Sequence, residues 1–207
     1  MPKPKSEPWF EYGETELGHL RKRDKKLGAF IDKTGMIKRA VNPDPFSALV
    51  ESVISQQIST KAAATVCRRV QELCGTSAEK LLALPTPELQ ACGMSMRKAG
   101  HIKLIAEAAL NGTIDFAKLR LKSDAEIVET LTSLKGVGRW TAEMLLIFSL
   151  MRPDVVSYGD LAIRRGMARL YGLEALPRER FGLYAKRYSP YGSVASLYLW
   201  KVAAEPA

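Results

Sequence analysis

The chain is poor in the residues from which most catalytic and metal centres are built. In 207 residues it has two histidines, His19 and His101, and three cysteines, Cys67, Cys74 and Cys92. Two histidines support neither a histidine triad nor a zinc site. The cysteines are odd in number and lack a metal-ligand spacing, and Cys67 and Cys74 fall on apolar helical patterns, so they read as buried thiols of a reducing compartment. No apolar run reaches membrane length, and the opening stretch MPKPKSEPWF has no apolar signal core. An intracellular protein with no membrane partner is expected, in the cytoplasm of a prokaryote or the nucleus of a eukaryote. Strands are missing too: no apolar–polar alternation of useful length occurs.

What the chain has in excess is positive charge. Lys and Arg total 31 against 22 Asp and Glu, for a net +9 and a pI near 9.5. That balance suits a polyanionic partner, of which nucleic acid is the commonest, but fits other basic proteins as well. The length allows one sizeable core or two small interlocked subdomains.

Helical periods and caps cover most of the chain. Residues 1–12, with Trp9, Phe10 and Tyr12, read as an extended arm whose aromatics either dock on the core or wall a base pocket. One amphipathic helix is expected from Thr15 through Ile31, with a basic outer face. Asp44-Pro45 starts a helix to about Gln56, and Ser59 caps the next. Thr76 with Glu79, and Thr86-Pro87, open two short helices. Another follows Ser95 and ends at Asn111-Gly112. Ser123 with Glu126 forms a capping box for a helix to about Leu134. Further helices follow Asp160, Pro177 and Pro190. The class expected is all-α, with about ten helices.

Between two of these patterns lies Ser133-Leu134-Lys135-Gly136-Val137-Gly138-Arg139-Trp140-Thr141-Ala142. Gly136 and Gly138 permit backbone angles that other residues avoid and carry no side chain to hold off a partner. From Arg139 the apolar period resumes through Trp140, Met144, Ile147, Phe148 and Met151. Two readings of the turn compete. It is either a corner that uses glycine for tight packing, or a phosphate grip made from the unpaired N–H groups and dipole of a helix N-terminus. A grip of the second kind positions a duplex without reading its bases.

The segment LKGVGRWTAEMLLIFSLMRPDVVSYGDLAIRR resembles the helix-hairpin-helix superfamily of base-excision DNA glycosylases, in its alkylbase, 3-methyladenine glycosylase II branch. The likeness extends back to Pro43-Asp44-Pro45-Phe46 and Ile54-Ser55-Gln56-Gln57-Ile58-Ser59, and forward to Tyr188-Ser189-Pro190-Tyr191-Gly192-Ser193. It implies two helical subdomains with a DNA-binding cleft: residues 45–150 as a helical barrel with the hairpin, and 1–44 plus 151–207 as a second subdomain carrying the catalytic aspartate. The β-rich N-terminal domain of longer members is not expected, since the first helical pattern starts near residue 14.

The resemblance also implies the chemistry. The substrate is double-stranded DNA containing alkylated bases, met by a monomeric, monofunctional glycosylase. Asp160 faces the oxocarbenium-like transition state and orients or deprotonates water; by its residues alone it reads first as a helix N-cap, a role that leaves one carboxylate oxygen free. Alkylated purines are already cationic and leave without a protein acid, so recognition needs flipping and π-rich walls; Trp140 and Tyr191 match such positions, and Tyr158, close to Asp160 in sequence, joins them. Gln57 matches the side chain that fills the emptied stack. Arg97, Lys98, Lys135, Gly136, Val137, Gly138 and Thr141 contact the backbone, with Ser95 beside them. Trp140 stands where the lyase branch has a nucleophilic lysine. No cofactor is required. A sodium or potassium ion on the main-chain carbonyls of Thr132, Leu134 and Val137 is implied, and no iron–sulfur cluster, since no cysteine follows Cys92.

Overall fold

The computed structural model describes residues 8–206, in which the chain forms twelve α-helices, one short 3-10 turn and no strand beyond an isolated bridge. The all-α class read from the periodicities is what is observed. None of these helices is long and apolar enough to cross a membrane. The chain divides into two compact units, one holding the part up to Val41 and from Met151 onward, the other Asn42–Leu150. The expectation of an extended arm lies outside the described residues for 1–7.

The first unit opens on a docked arm. Trp9 bridges Ala40, and the Phe10 N–H donates to the Arg39 carbonyl at 2.8 Å. Phe10 and Tyr12 are core residues, and the Tyr12 hydroxyl bonds the Ile37 carbonyl at 2.8 Å, so these aromatics dock the arm. The single helix expected over 15–31 is two, α1 (Glu14–Arg23) and α2 (Lys25–Thr34). Asp24 breaks it: its backbone is extended (φ −141°) and its carboxylate accepts the Leu27 N–H, starting α2 afresh. That carboxylate is buried, and the Tyr171 hydroxyl at 2.5 Å and the Arg187 guanidinium at 3.4 Å compensate its lost hydration.

The second unit holds α3 (Pro45–Ser55), α4 (Thr60–Cys74), α5 (Ala78–Ala83), α6 (Thr86–Ala91), α7 (Met96–Leu110), the 3-10 turn Ala117–Leu121, α8 (Asp124–Thr132) and α9 (Arg139–Phe148). Most starts are capped as their residues foretell. Asp44, Ser59, Ser95 and Ser123 each accept a backbone N–H two or three residues on. For α5 the cap is Ser77 and not Thr76. Leu49, Val50 and Val53 of α3 are wholly buried, and Phe46 meets Phe116 edge-on at 5.4 Å. The α9 face expected to reach Met151 stops at Phe148, and Met151 is exposed with a positive φ of 52°. Cys74 and Cys92 are buried thiols; Cys67 is half-buried, and burial pushes its pKa up to about 11.

The first unit resumes with α10 (Leu161–Tyr171), α11 (Arg178–Tyr188) and α12 (Gly192–Ala204). Every residue of α12 from Gly192 to Leu199 is buried. α10 crosses it at Gly166, where an added Cβ would stand 2.0 Å from the Leu199 carbonyl oxygen. Only glycine allows that approach, and it sets how near the side chains of α12 come to the start of α10.

Candidate nucleic-acid interface and active site

The hairpin between α8 and α9 is braced from behind. Gly136 has φ +90°, and a Cβ there would lie 2.2 Å from His101 Nδ1, so both its conformation and the His101 ring of α7 demand glycine. Gly138 differs: its backbone is extended (φ −91°), it caps α9, and a Cβ on it would meet nothing within 4 Å. Of the two glycines expected to need unusual angles, Gly136 alone adopts one. Gln56 Nε2 donates to the Gly136 carbonyl and to Thr141 Oγ1, both at 3.1 Å. The Val137 N–H closes the turn onto the Leu134 carbonyl at 3.1 Å, and its side chain is buried.

These contacts revise several assignments. Thr141, 2% exposed, is a brace inside the fold and not a surface for DNA. Lys98 is likewise committed inward, its ammonium donating to the carbonyls of Ile54, at 2.9 Å, and of Gln56. Burial and then Arg97 hold its pKa below the ordinary lysine value. Ser95 is the cap of α7. What faces outward is the N-terminus of α9, which no side chain caps, with Gly138, Arg139 and Trp140 exposed and with the exposed side chains of Lys135 and Arg97. Helix-terminal N–H groups and cations together favour an anion.

The junction of α3 and α4 separates its two glutamines. Gln56 turns in to the hairpin; Gln57 is exposed with a left-handed φ of 58°. For a residue other than glycine that backbone is costly, and it persists because Lys98 holds the Ile54 and Gln56 carbonyls just before it. Ile58 beside it is also exposed.

In the other unit, Asp160 caps α10, its Oδ1 accepting the Ile163 N–H at 2.9 Å and the Trp200 indole Nε1–H at 3.2 Å. The carboxylate is buried, at 7% exposure. The loop ahead of it, 152–160, is stitched to α12. Ser193 Oγ accepts the Val155 N–H and donates to the Arg152 carbonyl, the Ser193 N–H donates to the Pro153 carbonyl, and Ser196 Oγ donates to the Val155 carbonyl. Asp154, read as a turn residue, accepts the Gly192 N–H at 3.0 Å and the Ser189 hydroxyl, so it ties this loop to the one bearing Tyr191.

Tyr191 is partly exposed. His19 meets its ring edge-on at 5.2 Å and holds the Ser189 carbonyl by Nε2 at 2.9 Å. Tyr158, half-buried, packs within its own unit. The Arg164 and Arg178 guanidiniums lie 5.2 and 5.3 Å from its ring centroid and Phe181 packs on it at 5.1 Å, so the ring is committed to its own unit. Tyr191 and Asp160 belong to one unit; Trp140, Gln57 and the hairpin belong to the other.

Three contributors escaped the sequence reading: Gln56, His101 and Trp200. Trp200 sits at an apolar helical spacing and passes for core; only its indole N–H, which needs a partner when covered, signals more. Burial, then Arg97 and Lys135, push the His101 pKa below its ordinary 6.5, so the ring packs beneath the hairpin as a neutral group. Among the described residues no cluster of His, Cys, Asp or Glu is arranged to hold a metal.

Residues 50–185 match the family described as HhH-GPD superfamily base excision DNA repair protein. DNA-3-methyladenine glycosylase 1 of Schizosaccharomyces pombe is 34% identical over 201 residues, spanning 92% of this chain and 86% of that protein. The crystal structure of a DNA-3-methyladenine glycosidase from Bacillus halodurans has a TM-score of 0.83 and 36% identity, covering 95% of this chain and 93% of that one. The Schizosaccharomyces pombe 3-methyladenine DNA glycosylase in complex with abasic DNA has a TM-score of 0.81 and 34% identity, covering 90% and 95%.

Proposed function

This chain belongs to the HhH-GPD superfamily of base excision DNA repair proteins, and on that premise we propose that it excises alkylated bases of the 3-methyladenine kind from duplex DNA by hydrolysing the N-glycosidic bond. The observation that carries the reading is the buried Asp160 carboxylate at the head of α10, which accepts the Ile163 N–H and the Trp200 indole N–H. As the glycosidic bond breaks, positive charge grows on the deoxyribose, and a negative charge held rigidly in a buried site stabilises it more than solvent does. Asp160 further orients or deprotonates the attacking water.

Binding precedes chemistry. The uncapped start of α9, with Arg97 and Lys135, grips phosphates of the duplex without regard to base sequence. Gln57, displayed on its strained turn, fills the gap left by the flipped nucleotide. Trp140 in one unit and Tyr191 in the other each offer an aromatic face of the kind that suits an electron-poor, cationic base. Departure of such a base needs no protein acid. Trp140 also occupies the position of the lyase lysine, so the product is an intact strand with an abasic site.

A sodium or potassium ion would be held by the main-chain carbonyls of Thr132, Leu134 and Val137. Thr132 ends α8, so its carbonyl has no intrahelical donor, and the Leu134 carbonyl has a second lone pair beside its bond to the Val137 N–H. Three neutral oxygens suit a monovalent cation, whose charge would strengthen the phosphate grip. The test of the whole reading is chromatography of bases released from methylated duplex DNA by the protein. Release of alkylated purine supports it; retention of damaged duplex without release would reduce the protein to a binding module.

A further inference from the structure

The indole of Trp200 reaches Asp160 from the far end of a polar stripe on α12. Ser193, Ser196 and Trp200 recur at spacings of three and four residues and share one face of the helix. The two serines hold the loop backbone at Arg152 and Val155, and Trp200 holds the carboxylate at the end of that loop. The three rungs together align residues 152–160 along one rigid element. α12 is itself set against α10 by the Gly166–Leu199 approach, where not even a methyl group fits.

We propose that Trp200 is a positioning residue for base excision: its indole N–H fixes the rotation of the Asp160 carboxylate about χ2, so that the charge stays aimed at the sugar. The inference rests on Asp160 being the reacting carboxylate. A capping bond alone does not define that rotation, because the Asp χ2 torsion is broad and nearly two-fold. The Ile163 N–H comes from the same helix as the cap, whereas the Trp200 N–H comes from another element and lands on the same oxygen, Oδ1. Two donors of different origin on one oxygen set the plane of the carboxylate. Small errors of aim in such a group are expensive in rate.

Trp200→Phe removes the N–H and keeps an aromatic ring. In single-turnover excision from a duplex with one alkylated base, the chemical rate falls about 10-fold, as when part of one hydrogen bond to a charged group is lost. The half-saturating protein concentration and the affinity for abasic product stay at the wild-type values. In an Asp160→Asn background, Trp200→Phe causes no further loss. A Trp200→Phe variant that excises at the wild-type rate overturns the proposal, as does an undiminished 10-fold loss in the Asp160→Asn background. Asp160→Asn excising at the wild-type rate overturns the assignment of Asp160 itself, and the proposal with it. If Trp200→Phe does not fold, the Trp200 indole resonance of the parent protein decides: it shifts on Asp160→Asn, and an unmoved signal overturns the contact.

Discussion

Replacing Gly136 with alanine separates the two reasons for which that position is glycine. At φ +90° any residue with a Cβ is strained, at a cost of ~1–3 kcal/mol. The new methyl would also lie 2.2, 2.4 and 2.8 Å from Nδ1, Cγ and Cε1 of His101, so the imidazole must move, an overpacking cost of ~1–3 kcal/mol. The sum, ~2–6 kcal/mol, is a large part of the ~5–15 kcal/mol that holds a typical domain together. Urea unfolding of the parent, Gly136→Ala, His101→Ala and the double variant tests this. Removing the imidazole relieves the collision and leaves the backbone strain, so the double variant should be more stable than the two single losses predict, by ~1–3 kcal/mol. A Gly136→Ala protein as stable as the parent, or strict additivity of the pair, would refute the reasoning. Gly138→Ala is the control: nothing lies within 4 Å of its Cβ, so stability should change by less than ~1 kcal/mol while duplex affinity falls.

Gln57→Ala should slow excision from paired duplex more than from a mismatched or single-stranded lesion, which is cheaper to extrude; equal losses would remove Gln57 from the filling role. Gln56→Ala should instead lower the unfolding midpoint, since it strips the Gly136 carbonyl and Thr141 of their donor. Because the His101 pKa is lowered on folding, the unfolded chain binds the extra proton: its contribution is complete above about pH 6.5 and is lost as pH falls from there through the folded value. An NMR midpoint for His101 at or above 6.5 would contradict this packing. Borohydride should not trap the protein on DNA, and trapping that vanishes in Lys135→Ala would show lyase chemistry from the hairpin.

How much was legible beforehand follows from the range of the interactions. Caps are local: Asp44, Ser59, Ser95 and Ser123 find their N–H donors within three residues, and periodicity finds the faces of the helices, so helix starts and the all-α class could be read directly. Asp160 could be read as a helix cap for the same reason. Its second donor could not, because Trp200 lies 40 residues on, in a helix that meets α10 at Gly166. Adjacent residues were the hardest to separate. Gln56 and Gln57 carry identical chemistry, and which of them turns inward depends on a carbonyl 80 residues away. Lys98 passes for a phosphate contact until the Ile54 carbonyl, 44 residues earlier, claims its ammonium. By itself the sequence determined where helices begin and which residues have the chemistry to act. Tertiary structure alone decided which of those groups stay available to DNA and which are consumed as braces, because a donor is committed by partners that only folding brings within 3 Å or so.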